Sequence, residues 1–252
     1  MVIGTAGLTT RLENDVITTN SFQKFLGRYF YLCMSLLLAA LVIIGFSRTV
    51  NTNLFHGNPP RPLLLWVHGA AFSMWVVFFI VQSSLVRARQ VSVHRLLGWF
   101  GATLAAVMVA LGITIAIVMA RFDTRVLHQA FDSNAFLSIP FVDMVIFGTC
   151  IALAIYWKKR PEYHRRLIFI GTCQLMDAAI GRFDFMFNHN LFFPAVDCLI
   201  ALGILRDLIV DKRVNKVYLY ALPPMIVFQA LAVYAWRVNP AWWQTITHAI
   251  VG

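Results

Sequence analysis

Seven apolar stretches, at roughly 29–47, 63–86, 96–120, 136–157, 166–183, 191–210 and 218–236, dominate the chain. A helix needs about 20 residues to cross a hydrocarbon core of ~30 Å; all seven reach or approach that length, the fifth being marginal. Lipid offers a backbone amide no partner, so stretches that cross it must be helical. The 252 residues are 60% hydrophobic and 13% charged, with a mean hydropathy of +0.72, more apolar surface than a soluble domain of that size can hide. The expectation is an all-α, polytopic transmembrane bundle of seven spans. One membrane domain, residues 28–237, lies between a cytoplasmic segment at 1–27 and an outer interfacial tail at 238–252.

Charge orients this bundle. Of the 21 Lys and Arg, fifteen fall on one side when alternate loops are sorted, in segments such as Arg87–Arg95, Lys158–Arg166 and Arg206–Lys216; the other six are Arg48, Arg61, Arg121, Arg125, Arg182 and Arg237. The positive-inside rule puts the richer side, and the N-terminus, in the cytoplasm of a multi-pass protein of the plasma (inner) membrane. The net charge of +10 therefore speaks of orientation and of anionic headgroups. It does not speak of nucleic acid. Residues 1–27 hold no apolar core at their start and the first span lacks a persuasive cleavage site, so that span reads as an uncleaved anchor. Cys33, Cys150, Cys173 and Cys198 all lie within spans without a CxxC pair and read as packing residues.

Local signals refine the plan. Ser92 is a candidate N-cap for the third span, and Pro161 is well placed to open the fifth. Pro223-Pro224 should kink or unwind the seventh. The tail carries Trp242, Trp243 and Ile246 as a lipid-facing surface for an interfacial helix. A shift of 70 residues lays His94-Arg95-Leu96-Leu97 on His164-Arg165-Arg166-Leu167 and Gly101 on Gly171, each copy opening a helix after a short basic loop. Parallel repeats of this kind do occur in membrane proteins.

Four ionisable side chains interrupt the apolar stretches: His68, Asp143, Asp177 and Asp197. Each costs on the order of 2.5–3.5 kcal/mol in hydrocarbon even on lenient scales, so each is a functional candidate. At 1.5 Å per residue His68 lies roughly 8 Å, and Asp143 and Asp197 roughly 10 Å, below the outer ends of their spans; Asp177 lies near mid-membrane. Gln174, Asp177, Gly181 and Asp184 share one face of an uninterrupted helix, with Arg182 at its outer end. Such a set can hold a divalent metal on His68, Asp143, Asp177 and Asp197, relay protons, or line an outward polar cavity. It can equally pair within itself and lock the bundle. The Phe-rich stretch Phe183–Phe193 reads as an interface turn or as a lipophilic entry to the cluster.

A second series is His68, His94, His128 and His164, near the starts of spans two to five on alternating sides. Two axial histidines on different helices hold a b-type haem, so His68 with His128 and His94 with His164 can serve an outer and an inner haem. Over residues 63–183 this layout resembles the ascorbate-reducible di-haem transmembrane cytochromes. That resemblance implies haem b and electron transfer with a redox partner or quinone. The likeness departs at His94 and His164, which sit at helix starts beside Arg95 and Arg165, and at His128, which lies in or beside a loop. In text, His68, the basic Arg87 and Arg89, and His94-Arg95-Leu96-Leu97-Gly98 are similar to bacterial multispanning proteins with a His-Arg-x-Leu-Gly helix opening. That similarity implies fold and membrane location only.

No Lys lies within span seven for a retinal Schiff base, and no Walker, Rossmann, HExxH or GxSxG motif is present. The sequence therefore leaves three readings. The first is a haem-b electron-transfer protein. The second is a proton-coupled or metal-dependent transporter using the outer His/Asp cluster. The third is an accessory subunit without chemistry of its own.

Overall fold

The computed structural model describes residues 6–128 and 130–252, with side chains from residue 21 onward. Residues 1–5 of the expected cytoplasmic segment and the side chain of Arg11 lie outside the described residues. α1 (Ala6–Ser47) is one long helix that runs without a break from the polar segment into the first apolar stretch. A π-helical turn at Asn51–Phe55 leads to α2 (Leu63–Arg87), which pairs through a tight turn with α3 (Val91–Arg125). Then come the single turn α4 (Ser133–Phe136), α5 (Ser138–Tyr156) and α6 (Pro161–Gln174). Two short pieces follow, α7 (Asp177–Ile180) and α8 (Asp184–Asn188), before α9 (Phe192–Val210), α10 (Lys216–Val238) and α11 (Ala241–Val251). No strand occurs among the described residues.

Among the described residues, five helical segments are long and apolar enough to cross a membrane: Ser21–Ser47, Leu63–Arg87, Val91–Arg125, Ser133–Tyr156 and Lys216–Val238. Large apolar side chains on them face away from the bundle, among them Ile43, Leu96, Trp99, Val227 and Leu231. An exposed apolar surface of that kind suits an integral membrane protein, because lipid and not water is its favourable neighbour.

The fifth and sixth apolar stretches depart from the simple pattern. The fifth is interrupted after Gln174: Met176 N–H bonds back to the Cys173 carbonyl at 3.0 Å, and a new turn starts at Asp177. Such three-residue bonding tightens and redirects a helix. The sixth is helical throughout but carries Asp197, Arg206 and Asp207.

Several local expectations are corrected. Gln90, not Ser92, holds the N-cap position of α3, with Ser92 already inside the first turn. Pro223 and Pro224 sit inside a continuous α10, their missing donors falling in the helix's third turn. Trp243 faces inward and donates its indole N–H to the Ala135 carbonyl at 2.9 Å, leaving Trp242 and Ile246 as the exposed surface of α11. Pro161 does open α6.

The bundle has two distinct ends. At the basic end the turns between α2 and α3, α5 and α6, and α9 and α10 lie together: Arg87 stacks on Tyr29, Lys158 on Trp99 and Arg165 on Tyr31. At the opposite end Arg61 pairs with Asp123, Arg237 donates to Asn190, and Arg121 and Arg125 cap the carbonyls of α11. α1 crosses α7 so closely that a side-chain carbon added at Gly45 would collide with the Ala179 carbonyl. Small residues permit this kind of backbone approach between helices. Gly45→Val should therefore separate α1 from α7 and lower the melting temperature of the purified protein, whereas Gly69→Ala, with open space around it, should not.

Candidate functional site

α5, α6, α7, α9 and α10 converge on one polar cluster between the bundle's midpoint and the end opposite the basic one. The break after Gln174 places Asp177 on α7 toward α5. Asp143 and Asp177 meet there, their carboxyl groups within hydrogen-bonding contact of each other. Gln174, wholly buried, donates its side-chain amide to Asp143 Oδ1 at 2.8 Å. Gln229 of α10 donates to Gln174 Oε1 at 3.0 Å and to Asp197 Oδ1 at 3.3 Å. A chain of side chains thus runs Asp143–Gln174–Gln229–Asp197 across four helices. Asp177 Oδ1 is buried without a donor.

Above the two carboxyls opens a cavity of about 250 Å³. Phe131, Phe136, Ile139, Pro140, Phe187 and Phe192 form its walls, and Asp143, Asp177, Ala178, Gly181 and Arg182 line the rest. The Arg182 guanidinium lies 4.9 Å from the Phe46 ring centre, and among the described residues no carboxylate lies within ion-pair distance of it. Toward the basic end the cluster is sealed. One turn along α5 and along α6, Phe147, Phe169, Ile170 and Cys173 are completely buried.

The remaining candidates fall in different places. His68 packs its ring 4.1 Å from that of Phe72, with Nδ1 buried and unpartnered. Asp184 lies on α8, past a second break at Gly181–Phe183 where Phe183 is extended, and is exposed, so it does not share a face with Gln174 and Asp177. Among the described residues no three His, Cys, Asp or Glu side chains converge as a metal ion requires, so His68, Asp143, Asp177 and Asp197 form no metal-binding group. His94 and His164 meet at the basic end, ring centres 6.3 Å apart and planes at 85°. His164 Nδ1 lies 2.9 Å from the Ala154 carbonyl, while His94 Nδ1 is buried without a partner. His128 is exposed in a left-handed turn beyond α3.

A second polar cluster occupies the basic end, and sequence reading missed it. Arg166 and Arg206, counted there among loop charges, are both buried inside the bundle. Arg166 grips Asp207 with two parallel bonds of 2.8 and 2.6 Å, and also reaches Glu162 and Asp211. Arg206 donates to Asp207 at 2.9 Å and to Asp211 at 2.6 Å. The available signal was the same one used for the other acids: Arg206 and Asp207 fall at the end of an apolar stretch. Gln229 was equally legible as a lone amide within the seventh stretch.

Comparison with protein-family models finds no match, and comparisons with curated proteins and with solved structures likewise find none.

Removing one partner of a buried ion pair costs about 3–5 kcal/mol, because the other charge is left stranded. Asp207→Asn should therefore destabilise the protein by about that amount in a denaturant or thermal melt. Asp211→Asn, partly exposed, should cost less. The pH dependence carries a definite sign at Glu162, which lies outside the apolar stretches. Partial burial acts to raise its pKa, but hydrogen bonds from Arg166 and the charges of Arg165 and Arg166 outweigh this and hold it below the ordinary carboxylate value. A depressed carboxyl contributes stability above its unfolded pKa and loses it as pH falls through the folded one. The melting temperature should drop on acidification below the usual carboxylate range, and Glu162→Gln should flatten that drop.

Proposed function

We propose that the protein is a proton-coupled carrier of the plasma membrane, with seven crossing elements and the basic end in the cytoplasm. α6 and α7 together make the fifth crossing as an interrupted helix, and α9 makes the sixth. The positive-inside count supports the orientation. Interrupted helices are tolerated at membrane depth where they line a cavity, and carrier sites are built on them.

One observation carries this reading: the carboxyls of Asp143 and Asp177 meet in the lining of a cavity whose other walls are the phenylalanines and Arg182. Two carboxyls in contact, away from water, cannot both be ionised; they share a proton. Gln174 orients Asp143 through its amide, and Gln229 ties that amide to Asp197, so a proton gained or lost at the pair is felt across four helices. The buried layer of Phe147, Phe169, Ile170 and Cys173 closes the cytoplasmic path in this state. Release to the other side then requires the helices to rearrange, which is how a carrier differs from a channel.

Infrared spectroscopy of the protein in liposomes tests the proton site. The expected result is the carbonyl band of a protonated carboxylic acid that shifts in heavy water, responds to pH, and is lost or displaced in both Asp143→Asn and Asp177→Asn. A spectrum without such a band, or one unchanged by either substitution, overturns the reading.

The meeting of His94 and His164 supports a second function, a b-type haem protein at the cytoplasmic end. The hydrogen bond of His164 Nδ1 to Ala154 would leave Nε2 as the ligating nitrogen and fix the ring's orientation. Bound there, haem would supply one-electron chemistry. His94→Ala and His164→Ala should each abolish a dithionite-sensitive Soret band in protein from haem-replete cells; a colourless wild-type preparation removes this function.

A further inference from the structure

We infer that the cavity takes a small lipophilic carboxylate, an aromatic or branched acid held at its head by Arg182 and along its body by phenylalanine rings. The inference rests on the proton-coupled reading and names its substrate class. The walls are aromatic and mutually packed: Phe131 with Phe136 at 5.4 Å between ring centres, Phe136 with Phe187 at 6.0 Å, and Phe187 with Phe192 at 6.3 Å. Trp236 backs them at 5.0 Å from Phe136 and 5.1 Å from Phe187. A dry cavity on the order of 150 Å³ accepts benzene. At about 250 Å³ this one accommodates a ring and a head group.

The head group is chosen by charge. Arg182 is the cation that lines the cavity, and its fork of N–H donors makes no hydrogen bond to a side chain among the described residues. Two basic neighbours at the same end have polar side-chain partners, Arg61 with Asp123 and Arg237 with Asn190, whereas Arg182 makes only its contact with the Phe46 ring. A guanidinium in an apolar mouth recognises a carboxylate through two parallel hydrogen bonds. Asp177, nine-tenths buried and with Oδ1 lacking a donor, lines the same space.

Charge balance then couples the ligand to the proton. With one proton shared by Asp143 and Asp177, the pair carries one negative charge and Arg182 one positive, so the empty cavity is neutral. A carboxylate brings a further negative charge into low dielectric, and uptake of one proton by the pair restores neutrality. Of the other ionisable groups of this region, Asp197 is reached only through Gln229 and Asp184 is exposed beyond the turn at Gly181–Phe183; His68, packed on Phe72 with Nδ1 unpartnered, lies within electrostatic reach of Arg182.

The test uses the full-length protein in detergent with benzoate as probe, read by tryptophan fluorescence and by calorimetry in two buffers of different ionisation enthalpy. Benzoate should bind with uptake of one proton, its affinity rising about tenfold for each unit of falling pH above the pair's titration. Arg182→Gln, shown to be folded by its melting curve, should weaken binding at least tenfold, and Arg182→Lys should recover part of the loss. Benzylammonium should not compete. Absence of benzoate binding, binding without proton uptake, or equal binding by Arg182→Gln overturns the assignment. If the infrared signal of the carboxyl pair is present while benzoate fails, the substrate class alone falls; if that signal is absent, both fall.

Discussion

A bundle surrounded by lipid has no water with which to satisfy its interior polar groups, and that constraint organises everything else in this protein. Each buried donor and acceptor must find a partner on another helix, or stay unpaired at a cost of a few kcal/mol. The chain answers in two layers. At the basic end, two arginines are matched by Glu162, Asp207 and Asp211 in a network whose charges nearly cancel. Nearer the opposite end, amides bridge carboxyls from α5 to α9. The layer between them, Phe147, Phe169, Ile170 and Cys173, is completely buried.

The two layers differ in a way that matters for function. In the basic layer the ions are paired, partly in bidentate fashion, which makes that end a clasp holding α6 to α9. In the other layer a buried carboxyl oxygen of Asp177 lacks a donor, and it shares the lining of one cavity with Arg182, an exposed residue without a carboxylate partner among the described residues. Incomplete satisfaction of buried polar groups is costly for stability and typical of places where a ligand or a proton completes the set. The carrier proposal and its substrate class both grow from that contrast.

Much of this was legible in the residues. Apolar length alone announced an all-helical bundle, and the rule that ionisable groups are expensive in lipid singled out Asp143, Asp177 and Asp197 before any coordinates. The same rule, applied only to ionisable groups within the stretches, passed over Gln229, and treating Arg166 and Arg206 as loop charges hid the second network. The break after Gln174 carried no signature, since neither proline nor glycine sits there; a second break at Gly181–Phe183, where Phe183 is extended, takes Asp184 off the face of Asp177 that a continuous helical wheel had given it. Trp243 looked like a lipid anchor because hydrophobicity says that a ring avoids water, not whether it chooses lipid or protein.

By itself, then, the sequence determined which segments are helical and apolar and which residues are too polar to lie in lipid without a partner, since both follow from the one-dimensional run of side chains against a solvent of known thickness. Tertiary structure decided the partners. Helix rotation, the redirection at Leu175–Met176 and the close crossing at Gly45 depend on packing between segments far apart in the chain. Only that packing brings Asp143 against Asp177, leaves Arg182 without a carboxylate partner among the described residues, and joins His94 to His164 across 70 residues.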